Sequence, residues 1–221
     1  MRPGITAVLF DLDGTLVDSA PDLAGTVNDM LRLRGRPPVP YAALRPHAGS
    51  GARGMLRVAF GVAPPEPAYF TLRDEFHDHY GTRMLQDTRP FAAALALLDT
   101  LDQHAVPWGI VTNKALRFAQ PLVRALGLHT RTAVLIGGDS TPHTKPHPAP
   151  LLEAATRLSH PPAACVYVGD DHRDMQAGQA AGMATLAAAW GYLGDGDLPH
   201  TWGADAVLTE PDALLQWLDL A

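Results

Sequence analysis

At 221 residues, 47% of them hydrophobic and 18% charged, the chain has the composition of a folded globular protein with one core and room for one insertion, not of a disordered one. A formal net charge of -6 argues against nucleic acid as the main partner, because binding a phosphate backbone requires a positive surface. No segment approaches the roughly 18 consecutive apolar residues of a membrane span, Met1 to Gly4 form no charged-then-apolar leader, and the single cysteine, Cys165, excludes a disulfide framework, so a reducing cytoplasm is the expected setting.

The apolar run Ala7 to Phe10 predicts a buried strand that breaks at Gly14 into a turn. Asp18-Ser-Ala-Pro-Asp22 carries helix-start signals, with Asp18 and Ser19 as candidate caps, and the helix should run to about Arg34 before Gly35-Arg-Pro-Pro-Val-Pro40 ends it. Met55, Leu56 and Phe60, then Tyr69, Leu72, Phe76 and Tyr80, recur at helical spacing, and nothing in this region alternates like a strand. Residues 17–84 therefore read as a helical insertion, and residues 1–16 with 85–221 as the core.

Helices and strands alternate from Pro90 onward. Helices are predicted over 91–104, 116–126, 150–158, 175–181 and 211–220, with Gly127 and Gly182 closing two of them, and strands over 108–111, 133–136, 165–168, 184–188 and, at one edge, 206–208. Such alternation implies right-handed crossovers and an α/β fold with a parallel, Rossmann-like sheet. The carboxyl ends of its strands should line the ligand crevice.

Polar groups stand at four of those strand ends. Asp11 and Asp13 follow the first strand two residues apart, a spacing that points both carboxylates at one pocket, although Asp-x-Asp-Gly is also an ordinary turn. Thr112 and Asn113 follow the strand at 108–111, where a hydroxyl and a backbone N–H can hold a phosphoryl oxygen or cap the next helix. Lys145 lies in Thr144-Lys-Pro-His-Pro148, and Asp170, Asp171 and Asp174 stand at the end of the strand at 165–168, where they also suit a helix N-terminus. Converging carboxylates repel one another, and Lys145 together with a magnesium ion would offset that charge.

This order, Asp11-x-Asp13-Gly-Thr15, then Thr112, then Lys145, then Gly169-Asp-Asp-x-x-Asp174, resembles the four motifs of the haloacid-dehalogenase-like phosphohydrolase superfamily. A helical cap inserted after the first motif matches its phosphoglycolate-phosphatase branch. The resemblance implies that Asp11 forms an aspartyl-phosphate and that Asp13 protonates the leaving alcohol and then activates water. It gives Thr112 and Lys145 the phosphoryl oxygens, and magnesium the Asp11 carboxylate, the Asp13 backbone carbonyl and Asp170. Asp174 would support the metal from behind, with Asp171 at the edge of that network. A dehalogenase would lack the second acid, so Asp13 favours phosphoester chemistry.

In the insertion, His47-Ala-Gly-Ser-Gly-Ala-Arg-Gly-Met55 is the informative stretch: its glycines, Gly51 among them, permit close approach to a ligand, and Arg53 can pair with a substrate carboxylate or be a solvated charge beside a hinge. That stretch, with residues 108–121 and Trp190-Gly-Tyr192, is most similar to N-acetylmuramic acid 6-phosphate phosphatases. The implied partner is a small phosphorylated metabolite, either that phosphosugar or 2-phosphoglycolate, both of which carry a carboxylate. His143, His147 and His172 read as loop histidines, Trp190 and Trp202 as packing at the sheet end, and Cys165 as a buried structural thiol. A phosphomutase would share every core motif, and a non-catalytic binding protein would keep the fold. A monomer or a homodimer is expected.

Overall fold

A computed structural model describes residues 1–194, 196 and 198–220. Strands β1 (Ala7–Phe10), β4 (Trp108–Val111) and β6 (Cys165–Gly169) are buried at every position. Strands apolar on both faces need cover on both, which the helices between them supply. With β5 (Val134–Ile136), β7 (Ala184–Ala188) and β8 (Ala206–Leu208) they form one sheet in the order β5-β4-β1-β6-β7-β8, every pair parallel. Val8 lies opposite both Trp108 and Val166.

Alternation along the strands divides the core in two. Phe10, Trp108, Ile110 and Val168 face one layer, which takes in Leu97 and Leu101 of α5 (Ala92–Gln103) and Leu122 of α6 (Leu116–Ala125). Leu9, Val111, Ile136 and Tyr167 face the other, against Leu151 and Ala154 of α7 (Ala149–Leu158) and Ala177 of α8 (His172–Ala180). The chain builds the sheet outward from β1 to β5, then returns across β1 to lay down β6, β7 and β8. The order thus reverses beside β1, and a parallel sheet opens its ligand crevice at such a reversal.

Between β1 and the rest of the sheet lie α1 (Ala20–Leu33), α2 (Tyr41–Leu44), a 3-10 segment (Arg45–Ser50), α3 (Gly51–Phe60) and α4 (Pro67–Arg83). Val27, Met30, Met55, Leu56, Phe76 and Tyr80 belong to an apolar cluster of their own. The two connections to the sheet pair as a short antiparallel ribbon, β2 (Val17–Asp18) with β3 (Arg89–Pro90), in register Val17 with Pro90 and Asp18 with Arg89. Two residues per strand leave no alternation to read, so the expectation of no strand in this region misses the ribbon. Asp22, fully buried on α1, ties down the return connection: its carboxylate accepts from the N–H of Thr88 at 2.8 Å, the Thr88 hydroxyl at 2.7 Å and the N–H of Asp87 at 3.1 Å.

Other differences are local. The helix expected from Met175 starts at His172, because Asp171 caps it: the Asp171 carboxylate accepts from the N–H of Arg173, and that of Asp174 from the N–H of Asp171. The last helix is only α9 (Ala213–Trp217). Ser19 occupies the N-cap of α1, but its hydroxyl turns to Asp13, and the Tyr192 phenol oxygen instead accepts from the N–H groups of Ser19 and Ala20 at 2.7 and 2.9 Å. Among the described residues no helix is long and apolar enough to cross a membrane.

Candidate active site

Beyond Phe10 the strand ends and the backbone bends at Leu12. Leu12 goes fully into the core, while Asp11 and Asp13 on either side of it both line one cavity of about 360 Å3 between the strand ends and the helical insertion. Gly14 then turns the chain with φ +87°, a conformation that favours glycine. The Asp11 Oδ1 atom accepts from the N–H of Leu12 at 2.7 Å and lies 3.1 Å from the Lys145 ammonium. Its other carboxylate oxygen makes no hydrogen bond among the described residues. One oxygen is anchored and one is left for chemistry.

Lys145 is 3% exposed, against the usual habit of lysine. Its Nζ donates to the Val111 carbonyl at 3.1 Å and to the Tyr167 hydroxyl at 2.6 Å, and it pairs with Asp174 at 2.7 Å as well as with Asp11. Burial alone would depress the ammonium, but Asp11 and Asp174 outweigh it and hold Lys145 above its ordinary pKa. Asn113 fixes the Lys145 backbone from both sides, its amide accepting from the Lys145 N–H at 2.9 Å and donating to the Lys145 carbonyl at 3.0 Å. The Asn113 side chain is therefore committed to placing Lys145, which leaves its backbone to the cavity; Thr112, 3% exposed beside it on the cavity wall, keeps its hydroxyl within 3.2 Å of the Lys114 N–H.

Asp170 directly follows β6, in a tight cradle. It accepts from the Thr15 hydroxyl at 2.9 Å and from the N–H of Tyr192 at 2.8 Å, and a Cβ on Gly14 or Gly191 would lie 2.2 Å from one of its atoms. Burial, then the charges of Asp11 and Asp174, push its pKa well above the ordinary carboxylate range. Among the described residues no lysine, arginine or histidine forms an ion pair with it, whereas Asp11, Asp13, Asp171 and Asp174 each have one. A buried carboxylate without a cation calls for one. Oxygens of Asp11, Asp170 and Asp174 lie within 4.8 Å of one another, a hard-oxygen set that fits a divalent cation. Asp174 already gives one oxygen to Lys145 and Tyr167 and the other to the N–H of Asp171. Asp11, with one oxygen free of hydrogen bonds, and Asp170, with no cationic partner among the described residues, could hold such a cation directly, with Asp174 behind them. Burial raises the Asp11 pKa to about 7, with Lys145 opposing and Asp174 and Asp13 adding to the rise.

Asp171 is not part of that cluster. It caps α8 and pairs with Arg173 at 2.6 Å; burial works against its ionised form, but Arg173 more than offsets this and leaves its pKa below the ordinary value. Arg173 also donates to the Gly49 carbonyl at 3.0 Å, joining the core to the insertion. Gly51 and Arg53 do line the cavity, with Arg73, His77, Tyr80 and Phe118 nearby. Gly51 has φ +53° and ψ -137°, at the start of α3. Gly54 meets the His47 carbonyl rather than the cavity, so that glycine serves helix packing. Trp190 donates to the Thr15 carbonyl at 3.0 Å and Trp202 packs with Met175 and Ala187. Two residues with no predicted role belong to the site: Lys114, whose ammonium lies 3.0 and 2.9 Å from the two carboxylate oxygens of Asp13, and Tyr192, whose N–H holds Asp170.

A sheet reversal with an anchored aspartate, a second aspartate two residues on, a buried lysine and a distal acid cluster is the arrangement of one family, and a model of haloacid dehalogenase-like hydrolases matches residues 8–188. The chain belongs to that family. A phosphoglycolate phosphatase of Xanthomonas campestris pv. campestris (strain 8004) is 48% identical over 209 residues, covering 94% of each chain. An N-acetylmuramic acid 6-phosphate phosphatase of Pseudomonas aeruginosa is 39% identical over 220 residues, covering 100% of this chain and 97% of its own. The crystal structure of a predicted phosphoglycolate phosphatase from Haemophilus somnus 129PT superposes with a TM-score of 0.85 at 25% identity, covering 99% of this chain and 100% of that one. Within its family, this chain is a phosphatase.

Proposed function

We propose that the protein hydrolyses the phosphomonoester of a small carboxylated metabolite through an aspartyl-phosphate on Asp11, and that N-acetylmuramic acid 6-phosphate suits it better than 2-phosphoglycolate. The observation that carries the substrate class is the single cavity that runs from Asp11, Thr112 and Lys145 to Gly51 and Arg53 of the insertion. At about 360 Å3 it falls in the range that takes drug-sized ligands, roughly 300 to 1,000 Å3, and a two-carbon phosphoester would leave much of it to water. Arg53 is exposed at its far end and supplies a cation for a carboxylate.

In this reading the free oxygen of Asp11 attacks phosphorus while Thr112, the Asn113 backbone and Lys145 hold the phosphoryl oxygens. Protein catalysis of phosphoryl transfer is mainly positioning and charge neutralisation. Asp13 gives a proton to the leaving alcohol and later takes one from the attacking water. Asp11, Asp170 and the Asp13 carbonyl, with Asp174 in support, would hold magnesium, which would supply the remaining positive charge.

The test is phosphate release from both compounds with magnesium present, with phosphorus NMR of the products. The expected result is inorganic phosphate, with kcat/KM at least ten-fold higher for the phosphosugar. The reverse ratio overturns the substrate assignment, an isomerised phosphosugar would make the protein a mutase, and turnover of neither would leave the cavity to another ligand.

A further inference from the structure

The Asp13 side chain is held from two directions. Its two oxygens lie 3.0 and 2.9 Å from the Lys114 Nζ, and the Ser19 hydroxyl donates to Oδ1. Lys114 is itself confined: its side chain is 8% exposed, and its ammonium stands 4.9 Å from the ring centre of Tyr80, a residue of α4 in the insertion. Burial works against the ammonium, but Asp13 and Tyr80 outweigh it and the lysine stays charged. Thr112, two residues earlier, accepts from the Lys114 N–H, so the loop that carries the phosphate-facing hydroxyl also carries this clamp.

We infer that Lys114 is a positioning residue for phosphoryl transfer, fixing the Asp13 carboxyl where it can reach the leaving oxygen. The inference rests on Asp13 being the proton carrier. A carboxyl free to rotate about its side-chain bonds presents the proton in the right direction only part of the time, and a fork of donors removes that freedom. In the first half-reaction the Asp11 oxygen forms its bond to phosphorus, the ester P–O bond breaks, and the proton passes from Asp13 to the leaving oxygen. Asp13 is then a carboxylate, the form that Lys114 stabilises. In the second half-reaction a water oxygen bonds to phosphorus, its proton passes to Asp13, and the bond from Asp11 to phosphorus breaks. Lys114 gains and loses no proton in either half. Its position above the Tyr80 ring also places α4 of the insertion against that geometry.

Substituted phenyl phosphates test this without knowledge of the natural substrate, because a 4-nitrophenolate leaves without a proton and a 4-methylphenolate does not. First-turnover phenolate release would be measured with wild type, Lys114→Met and Asp13→Asn across a 4-nitro, unsubstituted and 4-methyl series. The expected result is a shallow fall in rate for wild type. K114M should fall at least ten-fold more steeply from the nitro to the methyl ester, and D13N at least as steeply as K114M. If D13N is no steeper than wild type, the assignment of Asp13 is wrong. If D13N is steep but K114M keeps the wild-type slope, Lys114 does not act through Asp13 and the inference is overturned. A K114M rate lowered equally for every ester, or a raised KM alone, overturns it as well, since disrupted packing or lost phosphate binding would act on all leaving groups alike. Should K114M fail to fold, Lys114→Gln, which keeps a donor and loses the charge, is expected to show the same steepening in weaker form, and a wild-type slope in it counts against the inference.

Discussion

Asp11 combines two demands on one side chain: burial favours its neutral form, holding its pKa to about 7, while nucleophilic attack requires the carboxylate. Asp11→Asn removes the nucleophile and the burial penalty together. Turnover is expected to drop by at least ~1,000-fold, while the melting temperature of the metal-free variant at pH 8 is no lower than that of wild type; parallel activity and thermal-melt measurements check both. Asp11, Asp13, Thr112 and Asp170 are legible in the sequence because each stands at or just after a strand end, and Lys145 because it lies among turn-forming residues in the loop after β5; a parallel sheet brings those ends together whatever the intervening chain does. Lys114 and Tyr192 are not: Lys114 also follows a strand end but reads as an ordinary solvated lysine, and nothing near either residue marks its partner, which lies 101 positions away for Lys114 with Asp13 and 173 for Tyr192 with Ser19. No spacing rule spans such gaps. Asn113 shows the converse, a residue in the right place whose amide is consumed by the neighbouring loop.

At the scale of elements, strands and long helices follow their hydrophobic pattern closely, whereas joints and caps depend on groups that the pattern does not see. The ribbon of β2 and β3 pairs two residues with two, and the start of α8 is set by the reciprocal bonds of Asp171 and Asp174 rather than by apolar spacing. Asp22 is another such joint. The sequence suggests a first-turn acid suited to the helix dipole, but the structure makes it the anchor of residues 87–88. Asp22→Ala would leave the buried N–H and hydroxyl of Thr88 without a partner, which costs about 3 kcal/mol. Urea denaturation should show that loss, and limited proteolysis should cut the connection between α4 and β3 faster than in wild type.

For the molecule as a whole, stability and metal binding are linked through proton uptake. In an unfolded chain Asp11 titrates near its ordinary 3.8, and in the folded chain at about 7, so between these values the folded state binds the extra proton. Its contribution to stability therefore declines as pH rises from about 4 to about 7, and Asp170, raised by burial, acts in the same direction. A cation bound by ionised carboxylates reverses this. The metal-free protein is expected to melt lower at pH 8 than the contribution of these groups allows at pH 5.5, and the rise in melting temperature on adding magnesium should be several degrees larger at pH 8; an equal rise at both values would separate the cation from these carboxylates. The segment Trp190 to Tyr192 reaches further still. Its N–H at Tyr192 grips Asp170, its phenol grips the first turn of α1, and its indole grips the turn behind Asp13. Three residues thus act as a common axle for the helical insertion and the carboxylate cluster. The helical insertion cannot shift on its ribbon without releasing the phenol or displacing Asp170, so any movement of those helices over the cavity is expected to register at the carboxylate cluster.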